Sequence, residues 1–455
     1  MYVSDMLYVT IDSVHTSSAL DAIEPGHRYS WRATLHRVHV IAGIFIAPFL
    51  LIAAITGFLY AFAPSLEKVI YQEEMSAPAA AEGKPALPIA QQVAAAEAER
   101  PGEHATAIQI AADSQHSNRV MFKDPQLISS SYRHAVFVDP GDASIRGDLV
   151  QYGSSAALPF RAWLSEGHRR LWLGDVGRIY SETAASWMGA LTLMGLWLWW
   201  DRNRGKRTGS TTRRARFMRW HSWTGTVLAA GFLFLTVTGL TWSMVAGADI
   251  TAVREKAAWV APTPETTVSA QAAPAASSTG VDWSQADTVL SQARAEGLTG
   301  KLELTAPTKP GQAWTAKEAR QEWRTDMNTI TVDGRTGQVV DQVRWQDWPI
   351  MAKFAEWFIN AHMGILFGWV NQLVLGITAL GLTALIVWGW LMWFARARRG
   401  HRVGSLPSPV GLRRIPPLFV VCCILYSLVA PLFGLSFLLF LLLDGGYRAL
   451  TRGRR

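Results

Sequence analysis

The chain has little cysteine, little charge and no nucleotide-binding signature. Its two cysteines, Cys422 and Cys423, are adjacent within an apolar run. That arrangement makes neither a disulfide framework nor a metal site of recognisable spacing. No Cys-x-x-Cys-His string occurs, which excludes covalent c-type haem attachment. No Gly-x-Gly-x-x-Gly follows a strand, there is no His-Glu-x-x-His, and no Ser/His/Asp set has usable context. A dinucleotide-binding domain, a zincin and a serine hydrolase are therefore excluded. Only 17% of the 455 residues are charged, and they fall in blocks.

What is present is apolar surface: 49% of residues are hydrophobic and 21 are Trp. A membrane span needs about 20 mainly apolar residues. Four stretches qualify, at 36–63, 179–200, 220–246 and 370–394. A fifth apolar run, 416–443, is long for one crossing and has Pro431 near its middle, so a single span and a kinked hairpin are both open. Trp199, Trp200, Trp390 and Trp393 sit at span ends, as interfacial aromatics do. The loops 201–219 and 395–415 are rich in Arg and are expected on the cytoplasmic side, with the 1–35 tail. Their charge is read as an orientation signal, not as a nucleic-acid surface. The inserts 64–178 and 247–369 then lie outside, in a bacterium the periplasm, and a basic tail, 444–455, ends the chain. The expected protein is a multi-pass inner-membrane protein in contact with lipid.

The chain is also one unit written twice, and repeats fix architecture. At an offset of 182, Arg37 maps to Arg219, His39 to His221, Gly43 to Gly225 and Thr56-Gly57 to Thr238-Gly239. At an offset of 194, Val138-Asp139 maps to Val332-Asp333, Trp163 to Trp357, His168 to His362, Gly174 to Gly368, Gly195 to Gly389 and Trp199 to Trp393. Each insert reads as a linker, a helix (87–100, 283–296) and strands (105–111, 118–123 and 133–138; 300–305, 312–316 and 328–333). The expected fold is an α-helical membrane protein: a duplicated span–insert–span unit forming a four-helix core, two α+β periplasmic domains and an extra C-terminal membrane segment.

The string ITVDGRTGQVV resembles the strand–turn–strand of a PepSY domain. HRVHVIAGIFIAPFLLIAAITGFLYAFAP, HRRLWLGDVGR, RWHSWTGTVLAAGFLFLTVTGLTWS and HMGILFGWVNQ resemble, in order, the membrane-linked motifs of the PepSY-associated transmembrane family. The first insert departs from the pattern, since Asp139-Pro140-Gly141-Asp142 lacks the usual Thr-Gly pair. The resemblance covers about residues 30–395 and implies an inner-membrane haem protein of ferric-siderophore reduction and iron uptake.

Two imidazoles on different helices at one depth can clamp an iron from both axial sides. The expected ligands of two b-type haems are His39 with His221 near the cytoplasmic face and His168 with His362 near the periplasmic face. His36 competes with His39, but its repeat partner is Met218. Gly43, Gly57, Gly225 and Gly239 would give room for a flat macrocycle or simply close helix packing. Arg37 and Arg219 are span-end anchors or partners of haem propionates. Trp163, Trp357, Arg169 and Arg170 are expected walls of a substrate site between the inserts. The expected activity is electron transfer to a periplasmic ferric siderophore or chelate. The cytoplasmic loops are too short for a flavin domain, so electrons would come from membrane quinol or a docking reductase. The rival readings, a non-enzymatic PepSY protein binding a periplasmic partner and a transporter component, need no haem.

Overall fold

Pro48 cannot donate a backbone hydrogen bond and its ring crowds the carbonyl four residues earlier. The first apolar run therefore forms two helices, α1 (Trp31–Phe45) and α2 (Ala47–Ile70), joined at Ile46. The Ser30 hydroxyl caps α1 by accepting from Ala33 N at 3.4 Å. α2 continues beyond the expected span end at 63 to Ile70, through Pro64. The computed structural model describes residues 30–204, 212–268, 281–397, 407 and 415–452. Most of the expected tail 1–35, the middles of both basic loops and the final residues lie outside the described residues.

In chain order there follow α3 (Gln72–Met75), α4 (Pro78–Ala81), α5 (Ile89–Glu99), β1 (Ala105–Ile110), β2 (Asn118–Phe122), β3 (Tyr132–Val138) and β4 (Ile145–Tyr152). Helix α6 (Pro159–Arg170) leads to the long α7 (Gly174–Arg204). The second copy runs α8 (Arg213–Val227), α9 (Ala229–Thr241), α10 (Ala246–Lys256), α11 (Ala286–Ala295), β5 (Leu302–Thr305), β6 (Trp314–Glu318), β7 (Thr329–Val332), β8 (Val339–Val343), α12 (Ile350–His362) and α13 (Gly368–Ala397). The chain ends in α14 (Pro417–Val429) and α15 (Pro431–Arg452).

The two inserts are not two separate α+β domains, as expected, but halves of one eight-stranded antiparallel sheet. Its order is β4-β3-β2-β1-β5-β6-β7-β8, with β1 and β5 joining the two meanders. Neither four-stranded half needs to protect an inner edge, because each covers the other's. On one face α5 and α11 bury Ile89, Val93 and Val289 against Phe122, Val136, Trp314 and Ile330. The inner strands β2 and β7 are buried throughout, so they read as runs rather than alternations. The two copies keep a register shift at matching positions, Phe137/Val138 and Thr331/Val332. The turn that follows needs a left-handed residue. The second copy supplies Gly337 (φ 72°), whereas the first uses Ala143 (φ 59°), which carries a Cβ penalty.

Two helices, Ala47–Ile70 and Gly368–Ala395, are long and apolar enough to cross a membrane, and α8 with α9, bent by 57°, makes a third. Among the described residues the expected span 179–200 does not meet the same test: it lies in α7, which buries Glu182 and Ser186. α2 packs on α13, α7 on α9, α1 on α7 and α8 on α13, closing a bundle under the sheet. The break at Leu228 stands at the repeat position of Ile46, yet Ala230 replaces Pro48 there. The kink thus belongs to the fold and not to the proline alone.

The fifth apolar run resolves as a hairpin. Phe419 meets Phe437 (6.4 Å) and Tyr426 meets Phe433 (4.9 Å) across the break at Ala430-Pro431. The Tyr426 hydroxyl donates to Ser186 O at 2.7 Å and Trp187 Nε1 to Ser436 Oγ at 2.9 Å, fixing the hairpin to α7. The returning arm brings Asp444 to Arg37, a largely buried ion pair midway along α1.

Candidate functional site

The bundle holds two cavities, one towards the sheet and one towards the basic-loop end. The cavity at the basic-loop end, about 630 Å³, is lined by His39 on α1 and His221 on α8. The one beneath the sheet, about 490 Å³, is lined by His168 and His362. Both volumes fall within the range of about 300–1,000 Å³ typical of cofactor pockets. The four expected histidines are therefore brought together in the expected pairs. The two outer ones sit on short amphipathic helices, α6 and α12, and not on the spans. α6 ends in two left-handed residues, Leu171 and Trp172, and α12 is followed by left-handed Gly364. Each chain then turns into α7 or α13.

Three of the four histidine rings have Nδ1 within hydrogen-bond distance of a partner. The Thr56 hydroxyl donates to Ile52 O at 2.8 Å and lies 3.1 Å from His168 Nδ1. The Thr238 hydroxyl donates to Phe234 O at 2.7 Å and lies 2.7 Å from His362 Nδ1. A hydroxyl whose proton is committed to a carbonyl can only accept from the ring. Nδ1 of both outer histidines therefore carries the proton, and Nε2 keeps its lone pair. His221 Nδ1 donates to Leu385 O at 3.1 Å. His39 Nδ1 stands beside the carbonyl of Leu191, the repeat partner of Leu385, without hydrogen-bond geometry. Fixing one ring nitrogen in this way is what orients a metal-binding imidazole.

The His39 and His221 ring centroids are 6.3 Å apart and their planes lie at 88°. Two metal–nitrogen bonds of about 2 Å plus two ring radii of about 1.1 Å give about 6 Å. The spacing thus suits one iron between the rings. Among the described residues no three His, Cys, Asp or Glu side chains converge as a metal site. A metal held here by two imidazoles must bring its remaining ligands with it, as a porphyrin does.

The glycines make the room. Gly43 and Gly225 line the inner cavity, Gly57 and Gly239 the outer. A Cβ on Gly57 would stand 3.0 Å from His168, and one on Gly195 would stand 3.2 Å from His39. Sequence reasoning recorded Gly195 and Gly389 as repeat matches but gave them no role. It likewise missed Thr56 and Thr238 as histidine partners, although the 182 offset had marked both. Tyr60 and Trp242 share that offset: Tyr60 stacks parallel to His168 at 6.3 Å, and Trp242 meets His362 edge-on at 5.7 Å.

Other expected site residues lie elsewhere. Arg37 turns away from the inner cavity to Asp444 and Pro407 O. Arg219 is exposed on α8, and the arginines lining that cavity are Arg32, Arg202 and Arg214. Trp163 packs on Trp172, and Trp357 donates to Thr325 O and packs on Trp345, so neither lines the outer cavity. Arg170 pairs with Glu166 outside it. Only Arg169 of that group lines the outer cavity, beside Arg178 and Arg320. The inserts form one sheet, so no cleft separates them for a substrate. The mouth lies instead between the sheet's underside and the bundle.

That mouth is cationic. Arg178 donates to Trp242 O at 3.2 Å, and Arg320 grips Glu356 at 2.6 and 2.8 Å. Burial pushes the Glu356 carboxyl up, but the hydrogen bonds and charge of Arg320 outweigh it and hold it below the ordinary Glu value. Glu182, the one acid on the cavity wall, is spent on Val245 N and Ala246 N, both at 2.9 Å.

Replacing Thr238 with Val keeps the shape and removes the acceptor of His362 Nδ1–H. Loss of such a partner typically lowers metal-site affinity about 10–100-fold. If these rings hold haem iron, haem titration of the variant should show that loss at one site and an unchanged affinity at the other.

No curated protein matches the chain. The model of the PepSY-associated TM region matches residues 36–396, from the first cavity-lining helix to the end of the bundle, and the chain belongs to that membrane-protein family.

Proposed function

We propose that the chain is a two-haem electron-transfer protein of the bacterial inner membrane that reduces a ferric siderophore or related chelate outside the membrane. The observation that carries this reading is the pair of imidazoles in each cavity, three of the four with Nδ1 hydrogen-bonded and Nε2 left to ligate. His39 and His221 would hold one b-type haem, His168 and His362 the other. A bis-histidine haem supplies one-electron redox chemistry. The chain's own contribution is to orient the rings, to enclose the sites in apolar walls and to place Arg169, Arg178 and Arg320 at the outer mouth. Planar guanidinium groups suit carboxylates, whether haem propionates or acidic arms of a chelate.

In this reading the basic loops face the cytoplasm and the eight-stranded sheet lies in the periplasm. Quinol or a small reductase is the donor, since the basic loops 201–219 and 395–415 are too short for a flavin or nicotinamide domain. Reduction of Fe(III) to Fe(II) weakens hard-oxygen chelation and frees the metal. The test is a visible spectrum of protein purified after haem-supplemented expression. Two haems per chain, with sharp reduced α bands, are expected; protein without a chromophore would return the choice to a non-enzymatic PepSY protein or a transporter component.

A further inference from the structure

The two cavities meet at four side chains. Leu50 on α2, Met188 on α7, Phe232 on α9 and Leu382 on α13 line both cavities, and no other described residue does. The four are two repeat pairs, Leu50 with Phe232 at the 182 offset and Met188 with Leu382 at the 194 offset. Each of four helices thus contributes one side chain to a single layer. All four belong to one apolar cluster, and Leu50, Met188 and Phe232 are buried.

Away from this layer each mainly apolar cavity reaches polar side chains at its far end. The outer cavity extends to Ser154 and Arg320 under the sheet, the inner one to Arg32 and Arg202 at the basic-loop end. Without the four side chains the cavities would join into one passage along the bundle. Water needs two to four polar partners to occupy an internal site, and this layer offers none. Apolar constrictions of this kind exclude water and the ions it carries.

We propose that Leu50, Met188, Phe232 and Leu382 form a dry septum that bars water and protons between the two cavities while holding the cavities one side chain apart. The purpose assigned to it rests on the two-haem reading. A quinol oxidised on one side gives up two electrons and two protons. The electrons cross singly to two ferric centres, each reduced to Fe(II), and the protons stay on the side of oxidation. The septum makes the protein a path for electrons alone.

The experiment uses the full-length holoprotein in liposomes with a trapped pH dye and a potassium–valinomycin driving force. Wild-type protein should be tight. The double variant Leu50→Ala/Phe232→Ala, which removes one repeat pair, should admit protons at least about tenfold faster while its spectrum still shows both haems. Leu50→Phe, which copies the repeat partner, should remain tight. If the double variant fails to fold, Leu382→Ser is judged by the same readings. A haem-retaining variant as tight as wild type overturns the proposal, and so does a leaky wild type. Tight wild-type protein with no haem, made leaky by the double substitution, supports the septum and overturns only the electron-transfer reading.

Discussion

If the two-haem proposal holds, replacing His362 with Ala is expected to halve the haem content, from two per chain to one. The argument starts from the cavity and not from the residue alone. His168 and His362 are the two imidazoles that line the outer cavity, and each is aligned by a threonine of the facing helix. With one removed, the remaining ring has no opposite partner. Tyr60 and Trp242 supply ring contacts but are not replacements, since Trp242 has no lone pair to give and Tyr60 stacks parallel to His168 rather than facing it. The inner pair, His39 and His221, belongs to a separate cavity walled off by Leu50, Met188, Phe232 and Leu382. Its haem should therefore be retained with an unchanged reduced spectrum. Haem per chain and the dithionite difference spectrum measure both effects together. Added imidazole should restore part of the lost absorbance in the His362→Ala protein. Loss of both haems, or of neither, would break the pairing of His168 with His362.

The outcome depends on a feature that the sequence shows directly. Two offsets, 182 and 194, assign each of the four cavity histidines to its partner, because each offset relates whole segments of matching residues in order along the chain. The same offsets link Thr56 to Thr238, Tyr60 to Trp242 and Leu191 to Leu385, all of which turn out to touch the rings. Those contacts were not legible, because a repeat match does not say which way a side chain or carbonyl points. The strands were legible where runs such as Thr329–Val332 are bounded by turns. β4 was not, because its edge position leaves Ile145–Tyr152 half-exposed, with Gly147 and Asp148 inside it. The pairing of β1 with β5 was hidden for a different reason. It joins residues about 200 positions apart, and nothing local in Ala107 or Thr305 specifies the partner. In the sequence Arg37 is open between a span-end anchor and a propionate partner. Helix positions two apart do not share a face, and its charge is met by Asp444 from the hairpin, which leaves it no part in the cavity.

The second large effect is expected far from either pair of rings. Glu67, in the last turn of α2, accepts from Leu158 N at 2.6 Å and pairs with Arg161 Nε at 3.1 Å. Both charged side chains are under 10% exposed, and Arg161 also donates to Ser155 O at 2.7 Å. Leu158 precedes α6 and has no side chain able to cap it, so the carboxylate from α2 serves the N-terminus of α6 instead. Glu67→Ala leaves the Arg161 guanidinium buried without a counter-charge. Breaking a buried pair from one side is expected to destabilise the protein by about 3–5 kcal/mol, whereas an apolar replacement of both partners is often neutral or stabilising. Glu67→Ala should therefore lower the thermal midpoint markedly, and Glu67→Leu/Arg161→Met should recover most of the loss. The location predicts an order as well as a size. α6 carries His168, while His39 and His221 sit on α1 and α8, which Glu67 does not touch. On the two-haem proposal, heating the Glu67→Ala protein should release the outer haem before the inner one. Simultaneous release at a single lowered midpoint would mean that the Glu67–Arg161 pair supports the bundle as a whole and not the seat of His168.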